Sequence, residues 1–308
     1  MKCKEVEIGK LKFANPVFGA SGCVGHGYEI QDYTDISKVG ALSMKTVTYD
    51  PRIGNKPPRV CEVPDGMMTS IGLQNPGAKK YIAEYWPQIK AAMRPDQIII
   101  SIGGNDIEDY LRTVDLFLET CTADDIAAIE INGACPNVKH GGGVMSASAD
   151  AMCELIKAVK KHTEIPVIGK MNTNFQNFCD VAKGIEAAGA EAVYLVSTPM
   201  GLRIDIRRRR PMIGNVAAPV NGPAIFPQSV LKTWKVYQSV NIPVIASGGI
   251  YTAEDAVEMM MAGATAVGIG SAQFINPNAM NEILTGLVDF CDKNSIDTFA
   301  ELTGSAQI

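Results

Sequence analysis

Two short runs near the C-terminus, Ser247-Gly248-Gly249-Ile250 and Gly268-Ile269-Gly270-Ser271, end apolar segments on glycine just before helical patterns. Such turns let backbone N–H groups close on a phosphate, although glycine also serves a plain tight turn between strand and helix. Lys45 and Lys170 end two other apolar runs. An ammonium there must meet a phosphate or carboxylate, reach back to solvent, or lose its charge. Cys135 stands in Asn132-Gly133-Ala134-Cys135-Pro136-Asn137, ahead of His140-Gly141-Gly142-Gly143. A thiol on a loop bordered by glycines can act as base or nucleophile if its surroundings tune it. The other seven of the eight cysteines meet no polar constellation and are expected to be structural, reduced thiols. Arg207 to Arg210 reads as a solvated loop or subunit contact. His26, His140 and His162 lack the mutual spacing of a metal site, so no metal is expected.

These residues need elements to position them, and the chain repeats one grammar: a helical stretch, a Gly-Ala turn, then a short apolar strand with a polar end. It occurs at Gly40-Ala41, Gly189-Ala190 and Gly263-Ala264. The strands expected on this basis are Pro16 to Ala20, Ala41 to Thr46, Gln97 to Ile102, Ala127 to Asn132, Pro166 to Lys170, Ala192 to Val196, Pro243 to Ala246 and Ala266 to Gly270. Their apolar residues run on without alternation, as in parallel strands buried on both faces. Helical patterns span Lys79 to Met93, Ile107 to Cys121, Ala149 to His162, Phe175 to Ala188, Pro227 to Val240 and Ala253 to Met261. Eight alternations predict an α/β fold of the (β/α)8 TIM-barrel type, with a doubly wound open sheet as the rival. Val6 to Phe13 alternates about Gly9-Lys10 and predicts an N-terminal β-hairpin. In a barrel the chemistry belongs at the C-terminal ends of the strands, where the glycine runs, both lysines and Cys135 lie.

Composition is compatible with one large domain. The 308 residues are 46% hydrophobic and 20% charged, which supplies an ample core and excludes a disordered or fibrous chain. Lys and Arg number 28 against 33 Asp and Glu, a net charge of −5 that argues against nucleic acid as a partner. No run of about 18 apolar residues and no signal-peptide pattern occurs, so a cytoplasmic protein without membrane contact is expected.

Ala20-Ser21-Gly22-Cys23, Lys45-Thr46, Ile71-Gly72-Leu73-Gln74-Asn75-Pro76-Gly77, Cys135-Pro136-Asn137-Val138-Lys139 and Gly222-Pro223-Ala224 together resemble the class 1 dihydroorotate dehydrogenases, over nearly the whole chain. The chain is most similar to the 1B branch, whose catalytic subunit works with a separate FAD and iron–sulfur electron-transfer subunit. The resemblance implies a single FMN-binding barrel domain over residues 1–308 that oxidises dihydroorotate to orotate in pyrimidine biosynthesis. It implies FMN phosphate on Gly248, Gly249, Gly270 and Ser271, and flavin contacts from Ser21, Lys45, Thr46, Ser101, Asn132, Lys170, Val196 and Gly222. Cys135 would remove the C5 proton while C6 gives hydride to the flavin, with Lys45 the second catalytic residue. Substrate would meet Lys45, Thr69, Ser70, Ile71, Gly72, Leu73, Asn132, Asn137, Ser197 and Thr198, and a homodimer is expected.

Departures from the family pattern bear on the substrate. Of four asparagines around the orotate ring, Asn132 and Asn137 are kept, while Thr69 and Ser197 stand at the other two positions. Ser101 replaces a flavin-side asparagine, and the turn after Lys170 reads Met171-Asn172-Thr173-Asn174 in place of one with proline. A pocket built on hydrogen bonds rejects ligands that leave its groups unpaired, so another dihydropyrimidine or cyclic amide is the alternative substrate. A flavin-free barrel lyase or isomerase, with Lys45 or Lys170 as a Schiff-base amine, and a non-catalytic subunit of a redox assembly are the more distant readings.

Overall fold

The computed structural model describes residues 4–134 and 145–308. The chain enters through the expected hairpin, β1 (Val6–Ile8) and β2 (Leu11–Phe13), with Val6 paired to Phe13 across Gly9-Lys10. β3 (Val17–Gly19) and β4 (Ala41–Ser43) begin the barrel. β5 (Val60–Val63) and β6 (Gly66–Thr69) leave it as an antiparallel pair above the mouth. β7 (Ile98–Ile102), β8 (Ala128–Asn132), β9 (Val167–Asn172) and β10 (Ala192–Val196) continue the barrel. A second excursion holds β11 (Met200–Gly201), β12 (Ile204–Asp205), β13 (Arg210–Pro211) and β14 (Ala218–Asn221). β15 (Val244–Ser247) and β16 (Ala266–Ile269) complete the chain's strands.

The eight barrel strands close in the order β10-β15-β16-β3-β4-β7-β8-β9, which removes the open sheet edges of the rival architecture. All eight expected strands are present; Ala192 to Val196 matches at both ends, and no end of the others is displaced by more than three residues. Their apolar character follows from position: β4, β7, β8, β9, β15 and β16 are buried along their whole length. Helices over Ala149–His162 and Ala253–Met261 match the sequence pattern residue for residue. The helix expected over Lys79 to Met93 is instead broken into Ala78–Lys80, a π-turn over Tyr81–Tyr85 and Trp86–Ala92. Pro87 explains the interruption, because it lacks an N–H and its ring crowds the carbonyl one turn back.

Sequence patterning did not reveal the small sheet β11-β14-β6-β5, assembled from segments some 130 residues apart and lying over the barrel mouth. Its own core is Cys61, Met68, Ile213 and Ala218. The Arg207 to Arg210 run belongs to the exposed β12–β13 arm, and none of the four lines the barrel-mouth cavity. Among the described residues no helix is long and apolar enough to cross a membrane.

Candidate active site

A cavity of about 460 Å³ opens at the C-terminal ends of the barrel strands, between them and the small sheet. Ser21, Lys45, Thr46, Asn132, Lys170, Val196, Gly222, Gly248, Gly249, Gly270 and Ser271 line it, as do Thr69, Ile71, Gly72, Leu73 and Thr198. Lys45 and Lys170 thus share one cavity although 125 residues separate them. Cys135 and Asn137 fall outside the described residues; Ala134, which precedes the cysteine, lines the wall.

Beneath the floor lies a carboxylate that the sequence reading did not single out. Glu130 is completely buried on β8, in register with Ser101 of β7. Its Oε2 accepts from Ser43 Oγ at 2.6 Å, and its Oε1 accepts from Ser101 Oγ at 2.6 Å and from Lys170 Nζ at 3.1 Å. One acid therefore ties β4, β7 and β9 together inside the barrel. The Lys170 ammonium also stands 4.8 Å from the centre of the Tyr194 ring, a second favourable contact for a desolvated cation. Lys170 had been expected to need an anion, and Glu130 is that anion.

The same carboxylate sets the direction of a hydroxyl chain that reaches the cavity. Ser101 spends its proton on Glu130, so Thr46 Oγ1 donates to Ser101 Oγ at 2.9 Å and accepts from Asn132 Nδ2 at 2.8 Å. Ser21 Oγ donates to the Met44 carbonyl at 2.7 Å and lies 3.2 Å from Thr46. Ser101 is therefore not a wall residue as expected. It is fully buried below Thr46 and reaches the cavity only through it.

Two further expected site residues also turn away. Ser70 Oγ is taken by Asn55 Nδ2 at 2.8 Å. Ser197 Oγ bonds Thr173 Oγ1 at 2.9 Å in a buried position. Thr173 and Ser197, both departures from the family pattern, satisfy each other; Ser197 offers its side chain to the neighbouring loop and not to the cavity.

Cys23, expected to be structural, lines the cavity. Burial pushes its thiol up to about 11, against the opposing pull of the Lys170 and Lys45 charges. It is a neutral thiol at working pH and unsuited to act as a base. Val60, Met67, Asn221, Ile225 and Phe274 also line the cavity and were not foreseen.

The far wall suits an anion. The backbone hydrogen bonds of the described turns make no use of the N–H groups of Gly248, Gly249 or Ser271. Gly248 has φ +130°, and a Cβ there would lie 2.4 Å from Ser229 Oγ and 2.9 Å from the Ser197 carbonyl, so only glycine fits the turn. Tyr251 Oη donates to Ser271 Oγ at 2.9 Å, fixing that side chain at the rim.

Against this geometry, the dihydroorotate dehydrogenase family model matches residues 3–291. The chain belongs to the dihydroorotate dehydrogenase family. It is 40% identical over 98% of both chains to a protein of Desulforamulus reducens named dihydroorotate dehydrogenase B (NAD(+)), catalytic subunit. A protein of the same name from Geotalea daltonii is 39% identical, again over 98% of both chains. The crystal structure of dihydroorotate dehydrogenase from Eimeria tenella, solved with ferulenol, superposes with a TM-score of 0.80 over 98% of this chain and 88% of that one. Its 18% identity carries the fold alone.

Dihydroorotate dehydrogenases of this kind are FMN flavoproteins, and the residues present fit that cofactor. N–H groups at Gly248, Gly249 and Ser271 that find no backbone acceptor among the described residues suit its phosphate, and a buried ammonium at Lys170 suits the electron-rich edge of a flavin.

Proposed function

We propose that this chain is the catalytic subunit of an FMN-dependent dihydroorotate dehydrogenase of the 1B type, a single FMN-binding unit over residues 1–308 that converts dihydroorotate to orotate in pyrimidine biosynthesis. The observation that carries the reading is the joining of Lys45, Lys170, Asn132 and the two glycine turns, whose N–H groups at Gly248, Gly249 and Ser271 find no backbone acceptor among the described residues, around one cavity in a chain of this family. Bound FMN supplies the two-electron acceptor for oxidation of the C5–C6 bond.

The chain's own residues have separable tasks. Gly248, Gly249, Gly270 and Ser271 hold the phosphate through backbone donors and the Ser271 hydroxyl. Lys170 opposes negative charge that develops at the flavin's pyrimidine edge, an electrostatic effect that grows along the reaction. Its pairing with Glu130 keeps the ammonium in place without a ligand. Thr46 and Asn132 orient their polar atoms through the chain anchored on Glu130. Lys45 binds the substrate carboxylate, and Cys135 takes the C5 proton on Sγ. Ile71, Gly72 and Leu73 line the cavity from the β6 side.

We propose further that a cytoplasmic FAD and iron–sulfur subunit passes the electrons to NAD, because the Desulforamulus and Geotalea relatives are named catalytic subunits of an NAD(+)-linked enzyme. The catalytic chain is a homodimer in this reading. The test is anaerobic mixing of purified protein with dihydroorotate: its flavin absorbance bleaches if the reading is right. Retained colour with dihydroorotate and bleaching with a dihydropyrimidine lacking the carboxylate would shift the substrate to that second ring.

A further inference from the structure

Only one of the two shortened pocket residues faces the cavity, and it has a companion. β6 and β14 run antiparallel with Met67 opposite Asn221, so Thr69, two residues along, is the diagonal neighbour of Asn221 on the same face. Asn221 Nδ2 donates to Thr69 Oγ1 at 3.2 Å and to the Pro219 carbonyl at 3.3 Å. Both amide hydrogens are then committed. Among the described residues no hydrogen bond engages Asn221 Oδ1, and Thr69 Oγ1, being the acceptor of its bond to Asn221, keeps its own proton to donate. Both side chains line the cavity and both are half-buried.

The seam that carries them is held closely. A Cβ on Gly66 would lie 2.1 Å from the Asn221 carbonyl oxygen, and one on Gly222 would lie 2.4 Å from that of Asp65. Glycine at both places lets the two backbones touch, which fixes Asn221 and Thr69 relative to each other before any ligand arrives. The pair then offers one acceptor and one donor side by side.

We infer that Thr69 and Asn221 form a two-point recognition edge, in which Asn221 Oδ1 accepts from a ring N–H and the Thr69 hydroxyl donates to an adjacent ring C=O. A cyclic amide or ureide presents that combination, whereas an ester edge leaves Asn221 Oδ1 unpaired and a hydrocarbon edge leaves both groups so. Asn221 is thereby a specificity residue: it brings a carboxamide across the sheet to the place where residue 69 has been shortened to threonine. The inference deepens the proposed dihydropyrimidine oxidation and rests on that reading.

Calorimetric titration of the FMN-loaded chain with orotate tests it, using wild type, Asn221→Ala and the isosteric Thr69→Val. FMN content serves as the check on folding, since neither residue belongs to the phosphate or Lys170 contacts. Both variants should retain FMN and bind orotate about tenfold or more weakly. Orotate affinity within about twofold of wild type in a variant that retains FMN would overturn the recognition edge. If wild type binds dihydrouracil and not orotate, the dihydroorotate reading fails while the edge stands or falls on the same two variants with dihydrouracil. Wild type that holds FMN and binds neither ring would overturn the edge as well.

Discussion

Lys170 Nζ lies 3.1 Å from Glu130 Oε1, with the glutamate side chain fully buried and the lysine opening only to the cavity. A carboxylate in that position is tolerable because two serine hydroxyls and an ammonium replace its water. Removing one partner strands the others. Glu130→Ala is expected to lower unfolding free energy by about 3 kcal/mol or more, measured by urea denaturation. Glu130→Gln keeps an acceptor for Lys170 and should cost less.

At the phosphate turn, Gly248→Ala introduces a Cβ 2.4 Å from Ser229 Oγ at a backbone angle that L-residues avoid. The turn must shift, and its N–H groups with it. Purified Gly248→Ala should carry well under stoichiometric FMN and melt several degrees below wild type, read by flavin absorbance and thermal denaturation.

The fold was legible to a large degree because barrel strands announce themselves by unbroken apolar runs. The hidden parts have physical reasons. Glu130 sits in such a run, Ala128-Ile129-Glu130-Ile131, and an acid inside a strand buried on both faces was the available signal for a buried ion pair. Asn221 gave no comparable signal, since its partner strand lies 152 positions away and the sheet joining them forms only in three dimensions. Ser101, Ser70 and Ser197 matched site positions in sequence, yet hydrogen bonds to Glu130, Asn55 and Thr173 draw their hydroxyls off the cavity wall.

Cys23 supplies a prediction in pH. Burial raises its thiol to about 11, above an unfolded thiol near 9, so the folded state favours the protonated form. Its contribution to stability is complete below the unfolded value and is lost as pH rises through about 11. In the native protein its thiolate is only about a thousandth of the total at pH 8. Alkylation of Cys23 by iodoacetamide, followed by peptide mass spectrometry, should be negligible at pH 8 and rise about tenfold for each pH unit toward 10. Rapid modification of native protein at pH 7 would contradict the raised pKa of this half-buried, cavity-lining thiol.

Cys135→Ala separates proton removal from cofactor binding. The variant should retain FMN, because the phosphate turns and Lys170 are untouched, while anaerobic reduction by dihydroorotate slows by about a hundredfold or more. Stopped-flow absorbance measures both properties in one sample. Reduction at the wild-type rate would remove this thiol from the chemistry.

A crystal structure of the purified protein with orotate tests the central claim most directly. The account predicts FMN in the barrel-mouth cavity, its phosphate against Gly248, Gly249, Gly270 and Ser271, Lys170 beside the flavin's pyrimidine edge, and orotate stacked above within reach of Lys45 and Cys135. Density showing that cavity without flavin, or filled with flavin while orotate binds elsewhere, would contradict it.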